Sequence, residues 1–471
     1  MRSLSLSGIS KLAVGITDRE GINKPWPRGT RPGRPTVDLF FALLLIFVAA
    51  RAAGEAMEKI HQSPMIGEVL AGILLGPMIL GWVDPNPTTE LGASLGVVAN
   101  LGVFVLVMLA GIELGREGLR QAFKERSMIV AFVEFFLPFA LGYSLGHALQ
   151  MSFVQSLFLG TALAVTALPV SVRILLDLNL LHSRLGRAIV SVALVNDLVA
   201  FAMLGLVVQF QTLGGPPEST TFIIILLKNV LFLGLVFAIA TVLKQTARLG
   251  RDSISYMQKF VTKLRGQEAS FAVCVATALG LATAAELLGI HFAVGAFYGG
   301  ILMTPQLLGR EPFNRVRNAT SAVTFGLFAP IFFAFVGLKF ALVFEAWPLI
   351  LAVTATAFVG KLLGGLMGGR VAGFRGSPLL ALGVGLNARG MMELLLAQVG
   401  LATGIINANV YSALVVMTLT TTLLTPPLMK RLLRRFKAQD VLPAVSRPVS
   451  ARRAEAQAAI PERDLEDDIV T

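Results

Sequence analysis

Two ionisable residues lie deep inside apolar segments of this chain. Asp197 lies in the apolar stretch 184–210, and at about 1.5 Å per residue from Arg187 its carboxylate reaches roughly 15 Å into a bilayer, near the midplane. Lys361 lies at a similar depth in the stretch 346–369. A carboxylate there costs about 2.5–3.5 kcal/mol on insertion scales and usually marks an ion or proton path. An acid and a base at one depth predict a transport site; a structural ion pair between two helices is the alternative.

The composition is that of a membrane protein. Mean hydropathy is +0.74, and only 14% of the residues are charged, where a soluble chain carries about a quarter. The single cysteine, Cys274, excludes a disulfide within the chain and argues against a thiolate metal site. The net charge of +12 resembles that of a nucleic-acid-binding protein, but the basic residues lie in short loops between apolar spans. We therefore expect a transporter rather than an enzyme, with no cofactor and no nucleic-acid partner.

Hydropathy predicts an all-α polytopic fold. Most of the apolar segments approach the ~20 residues that a helix needs to cross a bilayer. The thirteen predicted spans are 38–56, 64–82, 91–112, 127–149, 151–174, 186–211, 221–245, 269–287, 290–307, 319–341, 346–369, 377–402 and 407–429. They make residues 37–432 a membrane transport domain, flanked by a disordered basic tail at 1–36 and a disordered cytoplasmic tail at 433–471.

Loop charge predicts the orientation in the membrane. Alternate loops carry clusters of Lys and Arg, as does the segment after the last span, whereas the intervening loops are nearly free of them. The positive-inside rule places the basic loops and the C-terminus in the cytoplasm. The basic N-terminal tail contradicts this orientation, since an odd number of spans puts that tail outside.

The two halves of the chain resemble each other weakly. MIGEVLAGILLGP (65–77) resembles FAVGAFYGGILMTP (292–305), and LGVFVLVMLAGIELG (101–115) resembles FAPIFFAFVGLKFA (328–341). Both matches are offset by about 227 residues, which relates spans 1–6 to spans 8–13 in opposite orientation. The sequence thus predicts inverted repeats over about 38–211 and 269–432, joined by a linker helix at 221–245, as in many secondary transporters.

Helix breakers occur in corresponding spans of the two repeats. Pro169 lies inside span 5, and Gly385 and Gly390 flank Asn387 in span 12. Pro removes a backbone donor and Gly weakens a helix. Paired interruptions in two repeats are the best sequence pointer to a midplane binding site formed by broken helices.

These segments are similar to the monovalent cation:proton antiporters. The resemblance rests on HQSPMIGEVLAGILLGPMILG, on TALPVSVRILLDLNLLHSRLGR running into VALVNDLVAF, on VGKLLGG and on GLNARGMMELLLAQVGL, in that order over roughly 38–432. It is to the second branch, which includes glutathione-gated potassium efflux systems, plant cation/proton exchangers and bacterial sodium/proton antiporters. The resemblance implies a dimerisation domain, hence a homodimer, and a core domain with two crossed broken helices in a bacterial inner (plasma) membrane.

The resemblance also implies roles for particular residues. Asp197, with Asn196, is the position that binds a monovalent cation and a proton in turn. Lys361 faces that acid, and Thr166, in the first helix break, helps to line the site. Electrogenic members carry an acid where this chain has Asn196, so one titratable group is missing.

The predicted function is therefore exchange of sodium or potassium for protons by alternating access. With only Asp197 titrating, one proton exchanges for one cation and the cycle is electroneutral. A sodium-coupled carrier of organic anions and a passive cation channel are the alternatives. Four other polar residues in or near the spans are expected to form structural pairs: Glu68, Glu134, Arg389 and Glu393. Arg389 and Glu393, four residues apart, are positioned to pair with each other.

Overall fold

The computed structural model describes residues 38–122, 127–178, 180–181, 183–212, 219–248, 268–341 and 346–433. Within these ranges the chain is helical, without strands. The helices are α1 Leu39–Lys59, α2 Pro64–Leu75, α3 Glu90–Ala122, α4 Ser127–Ala148, α5 Phe153–Ala164, α6 Leu168–Asp177, α7 Arg184–Thr212, α8 Ser219–Arg248, α9 Ala269–Leu287, α10 Phe292–Leu302, α11 Pro305–Leu308, α12 Arg310–Val323, α13 Ala329–Leu338, α14 Trp347–Val371, α15 Gly376–Gly385, α16 Met391–Ala402 and α17 Ala408–Leu433.

The predicted all-α membrane fold is confirmed, and each of the thirteen predicted spans coincides with helical structure. In the described part of the chain, nine helices are long and apolar enough to cross a membrane. Two predicted spans are shorter than expected: the span 64–82 ends as a helix at Leu75, and the span 290–307 ends at Leu302. In each case apolar residues continue past the end of the helix into a turn, so the length of the apolar segment overestimates the length of the helix. The predicted tails at 1–36 and 433–471 lie outside the described residues, apart from Leu433.

One span is longer than predicted and irregular. The predicted helix 319–341 begins earlier, at Arg310, and continues through a π-helical turn at Thr324–Phe328 into α13. A π-helical turn inserts one extra residue into the helix and rotates the face that follows it. Hydropathy does not register such a turn, because the segment remains predominantly apolar through it.

The helices form two bundles. The scaffold bundle contains α1–α3 and α9–α13, and the core bundle contains α4–α7 and α14–α17. Helices pack extensively within each bundle. Contact between the bundles is made mainly by α7 with α3 and α10 and by α13 with α16. In addition, Tyr411 and Ser412 of α17 donate hydrogen bonds to the carbonyls of Val336 and Ala341.

The repeats interlock within the scaffold bundle. The first repeat's α2 packs on the second repeat's α13, and the equivalent α10 packs on α3. A Cβ at Gly72 would lie 1.9 Å from the Ala334 carbonyl oxygen, and one at Gly300 would lie 2.2 Å from the Met108 carbonyl oxygen. Only glycine allows backbones to approach so closely. The two glycines hold equivalent positions, which is the relation that inverted repeats predict.

Both predicted helix breaks are present in the core bundle. α5 ends at Ala164 and α6 begins at Leu168, while α15 ends at Gly385 and α16 begins at Met391. Pro169 lies in the first turn of α6 rather than in the break itself. Proline is tolerated there because its missing N–H would lack a helical partner anyway. The extended residues 165–167 and the segment 386–390 form the two interruptions.

Candidate functional site

The two interruptions contact each other directly. The backbone N–H of Ala167 donates a hydrogen bond to the carbonyl of Ala388 at 3.0 Å. The Thr166 hydroxyl lies 3.1 Å from the carbonyl oxygen of Leu386. The two interrupted helices, α5–α6 and α15–α16, therefore meet at their breaks. This region, together with the side chains that enter it, is called here the crossing. Unwound backbone at this depth is tolerated where it is buried in protein.

Lys361 of α14 inserts its ammonium into the crossing. Its Nζ donates to a carboxylate oxygen of Glu134, to the carbonyl of Ala164 and, at 2.6 Å, to the hydroxyl of Thr166. A lysine ammonium has three donors, and these contacts use all of them. The expected direct contact between Lys361 and Asp197 is therefore not made. Lys361 acts on Asp197 only through space.

Glu134 of α4 belongs to the crossing rather than to a separate structural pair. It is fully buried, forms an ion pair with Lys361 and accepts a hydrogen bond from Asn196 Nδ2 at 2.6 Å. Glu134 and Lys361 are 227 residues apart, the same offset that relates the two repeats. Residues at equivalent positions meet where the axis relating the repeats passes between them. That offset was the available sequence signal for this pair.

The Thr166 hydroxyl has no hydrogen-bonding capacity left. It accepts from Lys361 Nζ and from Asn196 Nδ2 at 3.2 Å, and lies 3.1 Å from both Glu134 Oε1 and the carbonyl of Leu386. A hydroxyl supplies one proton and two lone pairs. In this arrangement Thr166 connects the helices of the crossing and has no lone pair left for a cation.

Arg389 closes the end of the first half-helix. Its guanidinium donates to the carbonyls of Ala162 and Leu163 at 3.0 and 2.7 Å, which are among the last carbonyls of α5. A cation at a helix C-terminus is favoured by the helix dipole. Arg389 and Glu393 form an ion pair at 3.7 Å, although Arg389 precedes α16 and only Glu393 lies on that helix.

The second interruption is held by its own side chains. Asn387 Nδ2 donates to the carbonyl of Gly383 at 3.0 Å, near the end of α15. Gly390 precedes α16, and its N–H donates to Glu393 Oε2 at 2.9 Å. Gly385 is the last residue of α15.

Asp197 lies near the middle of α7, at the edge of the crossing and outside the hydrogen-bond network of Lys361, Glu134 and Thr166. Its side chain is buried, and its Oδ1 has no hydrogen-bond partner. Three further buried acceptors of the crossing also lack partners: Asn196 Oδ1, Asn387 Oδ1 and Glu393 Oε1. Buried polar atoms without partners are rare in proteins and call for an explanation such as an ion. One buried donor, Arg389 Nε, also lacks a partner, so the crossing has an excess of oxygen acceptors, which are the ligands that hard cations prefer.

The surroundings of Asp197 differ along the membrane normal. One turn further along α7, Phe201 stacks on Phe297 of α10 with ring centroids 4.2 Å apart, across the interface between the bundles. At the opposite end of the interface a small cleft separates the bundles. It is lined by His61, Gln62, Ser63, Val170, Ile174, Thr422 and Pro426.

Glu68 lies away from the crossing. It is buried in the scaffold bundle on α2, and its side chain packs against Gly54 of α1, where an added Cβ would lie 3.3 Å from Glu68 Cγ. Of the four acids and bases expected to pair structurally, Glu134, Arg389 and Glu393 are part of the crossing, and Glu68 is not.

Comparisons with known proteins agree with this architecture. The family described as "Sodium/hydrogen exchanger, transmembrane" matches residues 41–435. A Na(+)/H(+) antiporter of Enterococcus hirae is 28% identical over 402 residues, covering 85% of this chain and 99% of that protein. The Na(+)/H(+)-K(+) antiporter GerN of Bacillus cereus is 29% identical over 396 residues, covering 83% and 96%.

A cyanobacterial relative and a solved structure extend the comparison. The Na(+)/H(+) antiporter NhaS4 of Synechocystis is 30% identical over 433 residues and covers 84% of this chain and 98% of its own. The sodium proton antiporter MjNhaP1 of Methanocaldococcus jannaschii superposes with a TM-score of 0.64 at 14% identity, over 84% of this chain and 96% of that one. The family model matches most of the chain, which confirms the resemblance to cation:proton antiporters seen in the sequence. The chain therefore belongs to the sodium/hydrogen exchanger family of membrane transporters.

Proposed function

We propose that this protein exchanges a monovalent cation, sodium or potassium, for protons at Asp197. The observation that carries the proposal is the state of that carboxylate. It is buried in the middle of a membrane-spanning helix, its Oδ1 has no partner, and it forms no ion pair with a described residue. The relatives named as Na(+)/H(+) and Na(+)/H(+)-K(+) antiporters support this class of substrate.

The charges of the crossing support one-for-one exchange. Three buried carboxylates, Glu134, Asp197 and Glu393, face two buried cations, Lys361 and Arg389. Glu134 pairs with Lys361, and Glu393 pairs with Arg389, so one negative charge is left over, on Asp197. One proton or one monovalent cation neutralises it. Both loaded forms are then neutral, whereas moving the empty, charged site through an apolar barrier costs several kcal/mol.

The two-bundle architecture supports alternating access. We propose that the core bundle carries Asp197 past the scaffold bundle, so that the site opens to one side at a time. We propose that the stacked Phe201 and Phe297 close the interface on one side of Asp197, and that the cleft near His61 marks the side on which the interface can open. In the orientation predicted from loop charge, the cleft faces the cytoplasm.

Purified protein in liposomes with a trapped pH dye tests the function. Sodium, potassium and lithium gradients are imposed in turn, and a gradient of the transported ion should drive proton movement in the opposite direction. If none of the three ions drives proton movement, the proposal is wrong. Cation flux without proton movement would favour a channel, and sodium flux that requires an organic anion would favour the anion carrier.

Electroneutrality gives a direct electrical prediction. Proteoliposomes adsorbed on a solid-supported membrane should show exchange by dye but no sustained capacitive current when the cation concentration is stepped, because each cycle moves one charge each way. A robust current of fixed sign, lost in Lys361→Gln, would show that Lys361 releases a second proton and that the one-for-one count is wrong.

We propose a multi-pass arrangement in a bacterial inner (plasma) membrane with the C-terminus in the cytoplasm. In a Cys274→Ser background, single cysteines in the loop 249–267 should be protected from an impermeant thiol reagent added to intact cells. Cysteines in 84–90 should be labelled, because their loop lacks basic residues. The reverse labelling pattern would overturn the orientation.

We also propose a homodimer. The helices α1 and α8 expose apolar side chains along most of their length, including Phe40, Leu44, Ile223, Leu227 and Phe237. Part of this surface faces lipid, and part is available to a second copy of the chain. Mass measurement of the protein in detergent or nanodiscs, with a dimer as the expected result, tests this arrangement.

A further inference from the structure

Glu393 has a carboxylate oxygen that its structural role leaves unused. The residue is buried in the first turn of α16, and its Oε2 accepts the N–H of Gly390 at 2.9 Å. That contact satisfies the helix N-terminus, where an acidic side chain is favoured. The second oxygen, Oε1, is also buried and has no hydrogen-bond partner. Capping of α16 therefore explains one oxygen of Glu393 and not the other.

The ion pair with Arg389 does not account for the second oxygen either. Arg389 Nη1 lies 3.7 Å from Glu393 Oε1, beyond the range of a good N–H···O hydrogen bond. The two terminal nitrogens of Arg389 donate instead to the carbonyls of Ala162 and Leu163. Arg389 thus balances the charge of Glu393 without using the lone pairs of Oε1.

Glu393 and Asp197 lie on helices that pack against each other, α16 and α7. The two acids come from opposite repeats, Asp197 from α7 and Glu393 from α16. Each has one buried oxygen without a partner. Two neighbouring carboxylates with unsatisfied oxygens repel each other, and a cation between them removes that repulsion.

We propose that Glu393 supplies a second carboxylate to the cation bound at Asp197, in the place of the acid that this chain lacks at Asn196. The inference rests on the proposed function, since it assigns a further ligand to the same site. The cation is a dehydrated monovalent ion held by oxygens from both repeats. Arg389 balances the charge of Glu393, and the exchange therefore remains one-for-one.

The proposal separates two roles of Glu393 that substitutions can distinguish. Glu393→Gln retains an oxygen that can accept the Gly390 N–H, but it removes the charge. Cation binding should then weaken, so the KM for the cation should rise about tenfold or more while the maximal rate changes much less. The pH of half-maximal exchange should fall, because Asp197 ionises without a second negative charge beside it. The other charged groups of the crossing are Glu134 and Lys361, which pair with each other, and Arg389, whose positive charge favours the same direction.

Binding can be measured without transport. Thermal unfolding of purified protein should shift upward with added sodium or potassium in the wild type, and the midpoint of that shift should move to about tenfold higher cation concentration in Glu393→Gln. Glu393→Asp, which keeps the charge on a shorter side chain, should recover part of the affinity. Glu68→Gln removes a buried acid from the scaffold bundle and is the matched control; its cation midpoint and pH profile should match those of the wild type.

The outcomes distinguish this inference from the proposed function. If wild-type protein shows no cation-driven proton movement, the function itself is wrong. If the wild type exchanges and Glu393→Gln keeps the wild-type KM, pH profile and cation midpoint, then Glu393 only caps α16 and the inference is wrong. If Glu393→Gln is too unstable to purify, Glu393→Asp decides: a cation midpoint equal to that of wild type, despite the shorter side chain, overturns the assignment.

Discussion

Asp197→Asn should reduce cation-driven proton movement to the level of empty liposomes. Asparagine has nearly the same shape as aspartate, so the packing of α7 should be retained. An amide cannot exchange a proton for a cation, however, and the crossing loses the negative charge that the transported ion neutralises. The measurement is dye-reported exchange with the cation that the wild type transports, at several pH values.

Folding of that variant must be established alongside the flux. The elution profile and apparent Tm of Asp197→Asn in detergent should equal or exceed those of the wild type, because the substitution removes a buried charge that lacks a partner. Asn196→Ala is a useful comparison, since it removes the neighbouring amide and leaves the acid in place. Near-normal exchange by Asp197→Asn would remove Asp197 from the site.

Lys361→Met should destabilise the protein by about 3–5 kcal/mol, the cost of removing one partner from a buried ion pair. Glu134 would lose its counter-charge in the core bundle and keep only Asn196 and Thr166 as partners. The carbonyl of Ala164 at the end of α5 would also lose its donor. A lowered apparent Tm and loss of monodisperse protein in detergent are the expected observations.

A second substitution tests whether the charge of Glu134 causes that loss. The double variant Lys361→Met with Glu134→Gln should regain much of the stability, because it leaves no uncompensated carboxylate. The single variants and the double variant form a thermodynamic cycle. Additive losses of stability would show that the two residues are not coupled, in conflict with their contact in the crossing.

Much of this fold is predictable from the sequence for simple reasons. A membrane span must satisfy its own backbone hydrogen bonds, so hydropathy locates the helices. The helix breakers Pro169, Gly385 and Gly390 indicate which two spans are interrupted. The depth of Asp197 and Lys361 indicates two residues of the candidate site. The ends of α2 and α10 and the π-helical turn before α13 were not predictable, because the residues around them are apolar whether or not they are helical.

The pairing of charges within the crossing was the main feature that the sequence analysis missed. Lys361 was expected to face Asp197, but its three donors are used by Glu134, Ala164 and Thr166. Depth along a span gives one coordinate, whereas pairing depends also on which face of each helix turns inward. The offset of 227 residues between Glu134 and Lys361 indicates this pairing, because equivalent positions of the two repeats can meet at the axis that relates the repeats.

Proton release on cation binding tests the central claim most directly, because it measures competition at Asp197 without transport. Purified protein in weakly buffered detergent solution is titrated with the transported cation while pH is recorded. At a pH where Asp197 is protonated, one proton should leave for each cation bound, the apparent cation affinity should fall about tenfold per unit decrease in pH, and Asp197→Asn should release none. Cation binding without proton release, or release that persists in Asp197→Asn, would contradict exchange by competition at this carboxylate.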